Sequence, residues 1–353
     1  RSSLPLSKGT RPMKSLKLAA VLVLAFAAGL SPLARADDIR IGMIGLDTSH
    51  VVAFTRVLND SDHPAHIPGA KVVAAYKGGS DDIESSYKRV DRFTRTLRED
   101  FGVTIVDSIP ELCERVDAVM LESVDGRPHL RQARPVIKAG LPLFIDKPVA
   151  GSLRDAITIY QLSRKHDLPI FTSSAYRYYD SMTELQKQDV GTLRSAISYG
   201  PAHKEPHHPD LFWYGIHPTE ALFTVLGPGC REVVRTATEN TDVVTGTWKD
   251  GRVGTLHGLR NGKTPHQVIA FGTKAVAKQG SGGGYAPLVA HIVEFFKTGT
   301  PPVDFKESLE IYAFMEAADE SKRRGGKPVK IKEVMAANGW EGEWPHRTTS
   351  EPD

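Results

Sequence analysis

Hydrophobic positions in the first half of the chain follow two alternating spacings. Two segments rich in apolar residues are typical of strands: residues 39–44, in which only Arg40 is charged, and residues 72–76. Between these runs, Val51, Phe54 and Leu58 recur at the three-to-four-residue spacing of one helix face. Strands that alternate with helices in this way predict a parallel, doubly wound sheet.

The same alternation continues to about residue 175. Further strands are predicted at residues 103–106, 116–121, 143–146 and 168–172. Helices are predicted at residues 83–101 and from residue 108 onward. A further helix, with one face formed by Leu130, Ala133, Val136 and Ile137, is predicted to end at Gly140, and another begins at the capping box of Ser152.

From about residue 176 onward, strand-like runs follow one another directly. They lie at residues 193–199, 232–237, 243–248, 253–258 and 268–272. The Asp250-Gly251 pair between two of these runs is typical of a hairpin turn. Helices are predicted at residues 218–226, 285–296 and 305–321. The fold class is therefore α/β, with a parallel first sheet and a mostly antiparallel, open second sheet.

The first 36 residues have the organisation of a secretory signal peptide. A basic region at residues 13–17 precedes an apolar run at residues 18–30, and Ala34-Arg35-Ala36 forms a small-residue cleavage site. The apolar run is too short to span a bilayer. We therefore expect a cleaved, soluble protein, periplasmic or secreted, that begins at Asp37.

Removing this segment reverses the sign of the net charge. The whole chain has 45 Lys and Arg, 42 Asp and Glu, and a formal net charge of +3. Residues 1–36 contain six of the basic residues and no acidic one, which leaves a net charge of −3 for the remainder. Because no basic block remains, we expect no nucleic-acid or membrane partner.

An apolar run at residues 143–145 stops abruptly at Asp146-Lys147-Pro148. Proline has no N–H to donate, so a buried strand ends there and Lys147 lies at its carboxyl end. Ligands bind at this edge of open α/β sheets, where an ammonium group can polarise or protonate a substrate oxygen. On these residues alone, a solvated loop lysine is the alternative.

Several motifs together resemble the Gfo/Idh/MocA family, which includes glucose–fructose oxidoreductase and inositol dehydrogenase. They are the Val-Asp-Ala-Val sequence at 116–119 followed by His129, an Asp146-Lys147-Pro148 in place of the usual Glu-Lys-Pro, and a later Tyr-Gly-Ile-His-Pro-Thr-Glu sequence at 214–220. The resemblance covers most of residues 38–325. It implies a Rossmann-like NAD- or NADP-binding domain at 37–175, a substrate and oligomerisation domain at 176–328, and a tail at 329–353.

The resemblance also implies the residues that perform the reaction. Lys147 and His217 correspond to the pair that exchanges a proton with the sugar oxygen while hydride passes to or from nicotinamide. A helix-capping role is the alternative for His217. Candidate substrate-binding residues are Tyr214, which could stack on a sugar ring or lie in the core, and Glu220, which could orient His217 or bind a hydroxyl. His129 is a third candidate, and setting a loop is its alternative role.

The dinucleotide fingerprint departs from the family pattern. Residues 45–50 read Gly-Leu-Asp-Thr-Ser-His, so only the first glycine of Gly-x-Gly-x-x-Gly remains. Asp47 is expected to place a carboxylate beside the pyrophosphate, while Thr48, Ser49 and the helix N-terminus could still donate hydrogen bonds. Tyr76-Lys77 replaces the usual ribose-binding acid, and Lys77 could favour a 2′-phosphate. The predicted cofactor-binding residues are Gly45, Asp47, Thr48, Ser49, Ser123 and Asp146.

A histidine-rich loop supports a rival interpretation. His203, His207 and His208 are the kind of side chains that bind zinc or another divalent ion, although their spacing matches no established metal motif. A solvated or substrate-contacting loop is the alternative for this segment. The corresponding alternative function is a carbohydrate-binding protein, or a non-redox lyase or hydrolase, that has lost its dinucleotide site.

Overall fold

Residues 38–341 are described by the computed structural model, and the first half of this range forms a six-stranded parallel sheet. The strands are β1 (Ile39–Ile44), β2 (Ala70–Tyr76), β3 (Thr104–Val106), β4 (Ala118–Leu121), β5 (Leu143–Ile145) and β6 (Ile170–Thr172). They lie in the order β3-β2-β1-β4-β5-β6, which is the Rossmann order. Strands β4, β5 and β6 are buried along their whole length, because helices cover both faces of the sheet. The predicted parallel, doubly wound sheet is confirmed.

Six helices connect or flank these strands. They are α1 (Ser49–Asn59), α2 (Glu84–Tyr87), α3 (Val90–Phe101), α4 (Ile109–Cys113), α5 (His129–Ala139) and α6 (Leu153–Lys165). The prediction of one helix over residues 83–101 is wrong, because α2 and α3 are separate. Ser86 in α2 donates a hydrogen bond to Asp47, and this bond ties α2 to the turn that follows β1.

The second half of the described range forms a seven-stranded mixed sheet. Its strands are β7 (Leu193–Pro201), β8 (Cys230–Ala237), β9 (Thr241–Trp248), β10 (Val253–Leu259), β11 (Gln267–Gly272), β12 (Val276–Lys278) and β13 (Val329–Lys330). The order is β12-β11-β7-β10-β9-β8-β13, and every pairing is antiparallel except that of β7 with β10. The prediction of a mostly antiparallel second sheet is confirmed.

The remaining helices link the two sheets. A short 3₁₀ helix (Ala175–Tyr178) follows β6, and the others are α7 (Asp180–Gln186), α8 (Ile216–Leu226), α9 (Ala286–Thr298), α10 (Phe305–Arg323) and α11 (Ile331–Ala337). Phe295 of α9 contacts Phe171 of the parallel sheet, with ring centroids 5.8 Å apart. Helix α9, which comes from the second half of the chain, therefore completes the core of the first sheet. The domain boundary near residue 175 stays a prediction.

The predicted signal peptide, residues 1–36, lies outside the described residues. Within residues 38–341, no helix combines the length and the apolar character needed to cross a membrane.

Candidate active site

A cavity of about 250 Å³ opens at the carboxyl ends of the parallel strands. This volume lies just below the usual range of about 300–1,000 Å³ for small-molecule sites, so the cavity matches a compact ligand. Residues from both halves of the chain line it: Thr48, Ser49, His50, Ser85, Arg89, Val124, Lys147, Pro148, Ala175, Tyr176, Tyr179, Trp213, Tyr214, His217, His266 and Tyr285.

Lys147 reaches this cavity from the end of β5, as the apolar run and the proline predict. The backbone N–H of Asp146 donates to the carbonyl of Leu121, and the N–H of Val149 donates to the hydroxyl of Tyr312 at 2.7 Å. The lysine is thus held between two backbone anchors. Its side chain is only 13% exposed, so the ammonium faces the cavity and not bulk water.

His217 reaches the same cavity from the first turn of α8. Its Nδ1 lies 2.8 Å from the hydroxyl of Ser174, which fixes the ring. Burial and the nearby charge of Lys147 hold the pKa of His217 well below its ordinary value. The imidazole is therefore neutral at neutral pH.

Glu220 does not line the cavity, in contrast to its predicted contact with substrate. It is buried, and its carboxylate accepts hydrogen bonds from the hydroxyl of Ser173, the N–H of Ser174 at 2.8 Å and Nε of Arg177 at 2.9 Å. Because Ser174 in turn contacts His217, Glu220 acts on the imidazole through the segment after β6.

The other two predicted substrate-binding residues have different positions. Tyr214 is 39% exposed and lines the cavity, with its ring 5.6 Å from that of His217. His129 is fully buried and lies outside the cavity lining. Its ring nitrogens contact the carbonyls of Ser123 at 2.9 Å and Val149 at 3.3 Å, which is the loop-setting role.

Several aromatic residues in the lining were missed by the sequence reasoning. Tyr176 packs on His266 with ring centroids 3.8 Å apart, and Tyr179, Trp213 and Tyr285 complete an aromatic wall. Burial lowers the pKa of His266 to about 4. The Ala-Tyr-Arg-Tyr-Tyr sequence directly after a parallel strand was a usable signal for part of this wall. No comparable signal marks His266.

The turn after β1 has the features of a phosphate-binding turn. Gly45 has φ of +85°, and a Cβ there would lie 2.5 Å from the backbone N of Ser123, so only glycine fits. Helix α1 begins immediately afterwards, with the hydroxyl of Thr48 as its N-cap. Thr48 and Ser49 line the cavity together with Arg89. A helix N-terminus beside a guanidinium fits the phosphate portion of a dinucleotide.

Asp47 points away from this cavity. Its carboxylate is fully buried and accepts hydrogen bonds from the hydroxyl of Ser86 at 2.6 Å and the N–H of Val124 at 2.8 Å. Burial raises the pKa of Asp47. The expected placement beside the pyrophosphate is therefore absent, because the carboxylate anchors two neighbouring loops instead.

Two further predicted cofactor residues also lie outside the lining of the cavity. The hydroxyl of Ser123 donates to the amide of Gln132 at 3.0 Å. Asp146 contacts Nδ1 of His50 at 2.8 Å through one carboxylate oxygen.

A separate surface depression of about 600 Å³ lies at the ends of β2 and β3. Lys77 occupies the position where the ribose-binding acid was expected, and its Nζ lies 2.7 Å from Asp91. Arg95 and Arg98 also line this depression. The acidic Asp91, Glu99 and Asp107 line the same depression, so it presents charges of both signs.

The three histidines of the loop have unrelated surroundings. His203 packs against Tyr214, and His207 is exposed beside Glu205. His208 is buried, and its Nε2 lies 3.1 Å from Asp125 and accepts from the N–H of Gly126. In the described part of the chain, these histidines form no metal-ligand group of three or more side chains.

Residues 39–174 match a family model described as an oxidoreductase family with an NAD-binding Rossmann fold. No curated protein sequence matches the chain. Among solved structures, a myo-inositol 2-dehydrogenase from Lactobacillus plantarum is 17% identical with a TM-score of 0.70, and the match covers 84% of this chain and 100% of that one.

Two further solved structures have the same degree of similarity. A scyllo-inositol dehydrogenase from Lactobacillus casei, with bound NAD(H) and scyllo-inositol, is 15% identical with a TM-score of 0.68, covering 84% of this chain and 99% of that one. GenD2 from gentamicin A biosynthesis, in complex with NAD, is 16% identical with a TM-score of 0.68, covering 83% and 96%. The TM-scores of these three structures show a shared fold.

Proposed function

We propose that this chain, whose residues 39–174 match the NAD-binding Rossmann model of the Gfo/Idh/MocA oxidoreductase family, transfers hydride between a nicotinamide dinucleotide and a carbinol carbon of a small sugar or cyclitol. One observation carries the proposal. Lys147 from the parallel sheet and His217 from α8 line the same cavity, beside the N-terminus of α1. The solved inositol dehydrogenases of the same fold support this substrate class.

The two side chains supply complementary chemistry. Removal of hydride from a carbinol carbon requires loss of the hydroxyl proton to a positioned base. With its own proton on Nδ1, where the oxygen of Ser174 can accept it, neutral His217 presents a lone pair on Nε2. The Lys147 ammonium stabilises the negative charge that develops on the oxygen and can return a proton in the reverse direction.

The bound dinucleotide supplies the hydride acceptor. This chain's Thr48, Ser49 and Arg89 would hold its phosphates at the α1 N-terminus. Lys77 could contact a 2′-phosphate at the end of β2, which would favour NADP over NAD. The aromatic wall favours a sugar as the substrate. The C–H face of a sugar ring is apolar and can stack on aromatic side chains, while its hydroxyls can reach the imidazole and tyrosine groups at the edge of the cavity.

The proposal is tested by incubating the purified protein with NAD⁺ or NADP⁺ and a panel of inositols and aldoses while following reduced nicotinamide by absorbance. We expect reduction with at least one substrate, and its loss in the His217→Asn variant. Calorimetric titration of both dinucleotides into the same protein measures binding separately. A parent protein that binds neither dinucleotide would overturn the proposal.

That outcome would favour the second candidate, a non-redox carbohydrate-binding or lyase function. The feature that favours it is the end of β2, where Lys77 and Asp91 pair in place of a free ribose-binding acid. In that case sugars should still bind in the cavity when no dinucleotide is present, and Tyr176→Ala should lower their affinity.

We also propose export, which the signal-peptide pattern of residues 1–36 supports. N-terminal sequencing of protein recovered from the periplasm or medium should then begin at Asp37. Homo-oligomerisation through the second sheet stays a prediction of the family resemblance.

A further inference from the structure

Three metal-ligating side chains meet beneath Lys147. They are His50 in the first turn of α1, Glu122 just after β4 and Asp146 just after β5. One ligand atom from each lies within 4.8 Å of the others. Glu122 is fully buried, and Asp146 and His50 are only 2% and 8% exposed.

The carboxylate oxygens of this cluster lack partners. Both side-chain oxygens of Glu122 and Oδ1 of Asp146 are buried and accept no hydrogen bond from any residue in the described range. Buried polar atoms are almost always hydrogen-bonded, and a buried charge without a partner is strongly unfavourable. Two carboxylates also repel each other at this separation. The cluster therefore has the features of a site that binds a positively charged ligand.

Lys147 balances only part of the negative charge. Its Nζ lies 3.8 Å from Oδ2 of Asp146, and the same oxygen contacts Nδ1 of His50 at 2.8 Å. No comparable contact reaches Glu122 among the described residues. A cation seated between the two acids and the imidazole would contact the oxygens that Lys147 leaves unpaired.

We propose that His50, Glu122 and Asp146 bind one divalent transition-metal ion. Metal-to-ligand distances of about 2.0–2.2 Å place two ligand atoms on one ion at most about 4.4 Å apart, so the cluster reaches this geometry with small side-chain shifts. One imidazole and two carboxylates suit Zn²⁺ or Mn²⁺, whereas Mg²⁺ prefers an all-oxygen, partly hydrated site.

The ion lies behind the wall of the cavity, because His50 alone of its three ligands lines that cavity. It therefore acts as a positioning group. It holds the carboxyl ends of β4 and β5 together and fixes Asp146, the residue directly before Lys147. This site is distinct from the histidine-rich loop and does not depend on the proposed redox function.

The test uses the full chain, freed of metal by a chelator and then titrated calorimetrically with Zn²⁺, Mn²⁺ or Mg²⁺. We expect one equivalent of Zn²⁺ or Mn²⁺ to bind and Mg²⁺ to bind at least tenfold more weakly. Added Co²⁺ should give the visible absorption bands of a protein-bound ion. The parent melting temperature should rise with added Zn²⁺ or Mn²⁺ and fall again with chelator.

Glu122→Gln is the decisive variant, because it keeps the side-chain shape while removing an anionic ligand. Its metal affinity should fall at least tenfold, while its melting temperature in chelator should equal or exceed that of the parent, since a buried repulsion is removed. His207→Gln is the matched control, because His207 is an exposed imidazole beside Glu205 and Asp82. Its metal affinity should match that of the parent.

Two results would overturn the inference. One is a parent that binds no Zn²⁺ or Mn²⁺ and melts at the same temperature with metal and with chelator, as expected if the two acids share a proton. The other is metal binding that survives Glu122→Gln and is lost in His207→Gln, which would assign the ion to the loop.

Discussion

Lys147 and His217 line one small cavity, and contacts with neighbouring residues hold each of them in place. The lysine is fixed by the backbone on either side of it, and the imidazole by Ser174. Each also affects the other, since the ammonium lowers the pKa of the imidazole. Their chemistry is therefore a property of the pair.

Two substitutions of Lys147 distinguish the role of its positive charge from the role of its transferable proton. Lys147→Ala should lower turnover by roughly 10²–10⁴-fold. Lys147→Arg keeps the positive charge but cannot release a proton near neutral pH, so it should also be strongly impaired. Turnover is measured from reduced nicotinamide, with Lys138→Ala, an exposed lysine on α5, as the control. Parent-like turnover in Lys147→Arg would reduce Lys147 to an electrostatic role.

Asp47 should matter for stability more than for cofactor repulsion. Asp47→Ala removes the acceptor for Ser86 and for the N–H of Val124, and should lower the free energy of unfolding by about 2–4 kcal/mol. Asp47→Asn retains one acceptor oxygen, so its free energy of unfolding should fall by less. Denaturant titration of both variants checks this order.

Dinucleotide affinity provides the complementary measurement. Calorimetry should give the same affinity for Asp47→Asn and the parent within about twofold, because the carboxylate does not face the cavity. Clearly tighter binding in Asp47→Asn would restore the sequence-based expectation that this charge opposes the pyrophosphate.

At this scale the sequence predicted residues that lie in motifs and missed those that only tertiary structure brings together. Lys147 and His217 follow from a strand-ending proline and a family motif. His266 lies just before β11, a strand of the second sheet. It joins the site because β11 packs near α8, the helix that carries His217. The orientation of Asp47 depends on Ser86, thirty-nine positions further along the chain, a contact that no local pattern encodes.

Among the elements, the β1–α1 turn decides where the cavity begins. Gly45 and Leu46 donate backbone hydrogen bonds to Tyr76 and Lys77, so the turn runs alongside the end of β2. Ser123 in the loop after β4 packs directly against Gly45. Any side chain at position 45 must therefore displace the loop that carries Ser123.

Gly45→Ala and Gly102→Ala form a matched pair that tests this turn. Both glycines have positive φ, +85° and +65°, but a Cβ meets nothing within 4 Å at Gly102. Gly102→Ala should lower the free energy of unfolding by about 1–2 kcal/mol from backbone strain alone. Gly45→Ala adds the clash with Ser123 and should lose about 3–5 kcal/mol. Denaturant midpoints check the difference. Equal losses of unfolding free energy in the two variants would mean that the Ser123 loop moves aside at no measurable cost.

The elements that periodicity predicted are those with a continuous apolar face. Strands β1, β2, β4, β5 and β6 and helix α10 are recognisable because buried positions recur along their length. Strand β13 has two residues and pairs with the distant β8, and β12 has three residues and pairs with the neighbouring β11. The break between α2 and α3 lies beside Ser86, whose hydroxyl donates to the distant Asp47. Short elements and breaks of this kind depend on partners and not on composition.

In the whole molecule, the two sheets share their core. Helix α9 packs on the parallel sheet, and Tyr312 of α10 bonds to the backbone after β5. The lining of the cavity comes from both halves of the chain, so loss of either half would open it. Stability and site geometry are therefore coupled, and buried titratable groups of the cavity contribute to the stability of the whole fold.

His266 provides a measurable case of this coupling. Its pKa in the folded state is about 4 because burial disfavours the imidazolium, while the unfolded chain has the ordinary value of about 6.5. Between these values the unfolded state binds more protons, so this histidine destabilises the fold progressively as pH falls below 6.5. Asp319 works in the opposite direction, since burial raises its pKa to about 7. A single pH profile of the parent therefore mixes both effects.

Comparison with His266→Gln isolates the contribution of the histidine. The substitution also removes packing against Tyr176, and that loss does not depend on pH. The informative quantity is the difference in free energy of unfolding between parent and variant, measured by denaturant titration at pH 7 and pH 4.5. It should shift in favour of the variant by on the order of 1–3 kcal/mol as pH falls. A difference that stays constant across this range would mean that His266 is as easily protonated in the folded cavity as in the unfolded chain, and that the aromatic wall admits water freely.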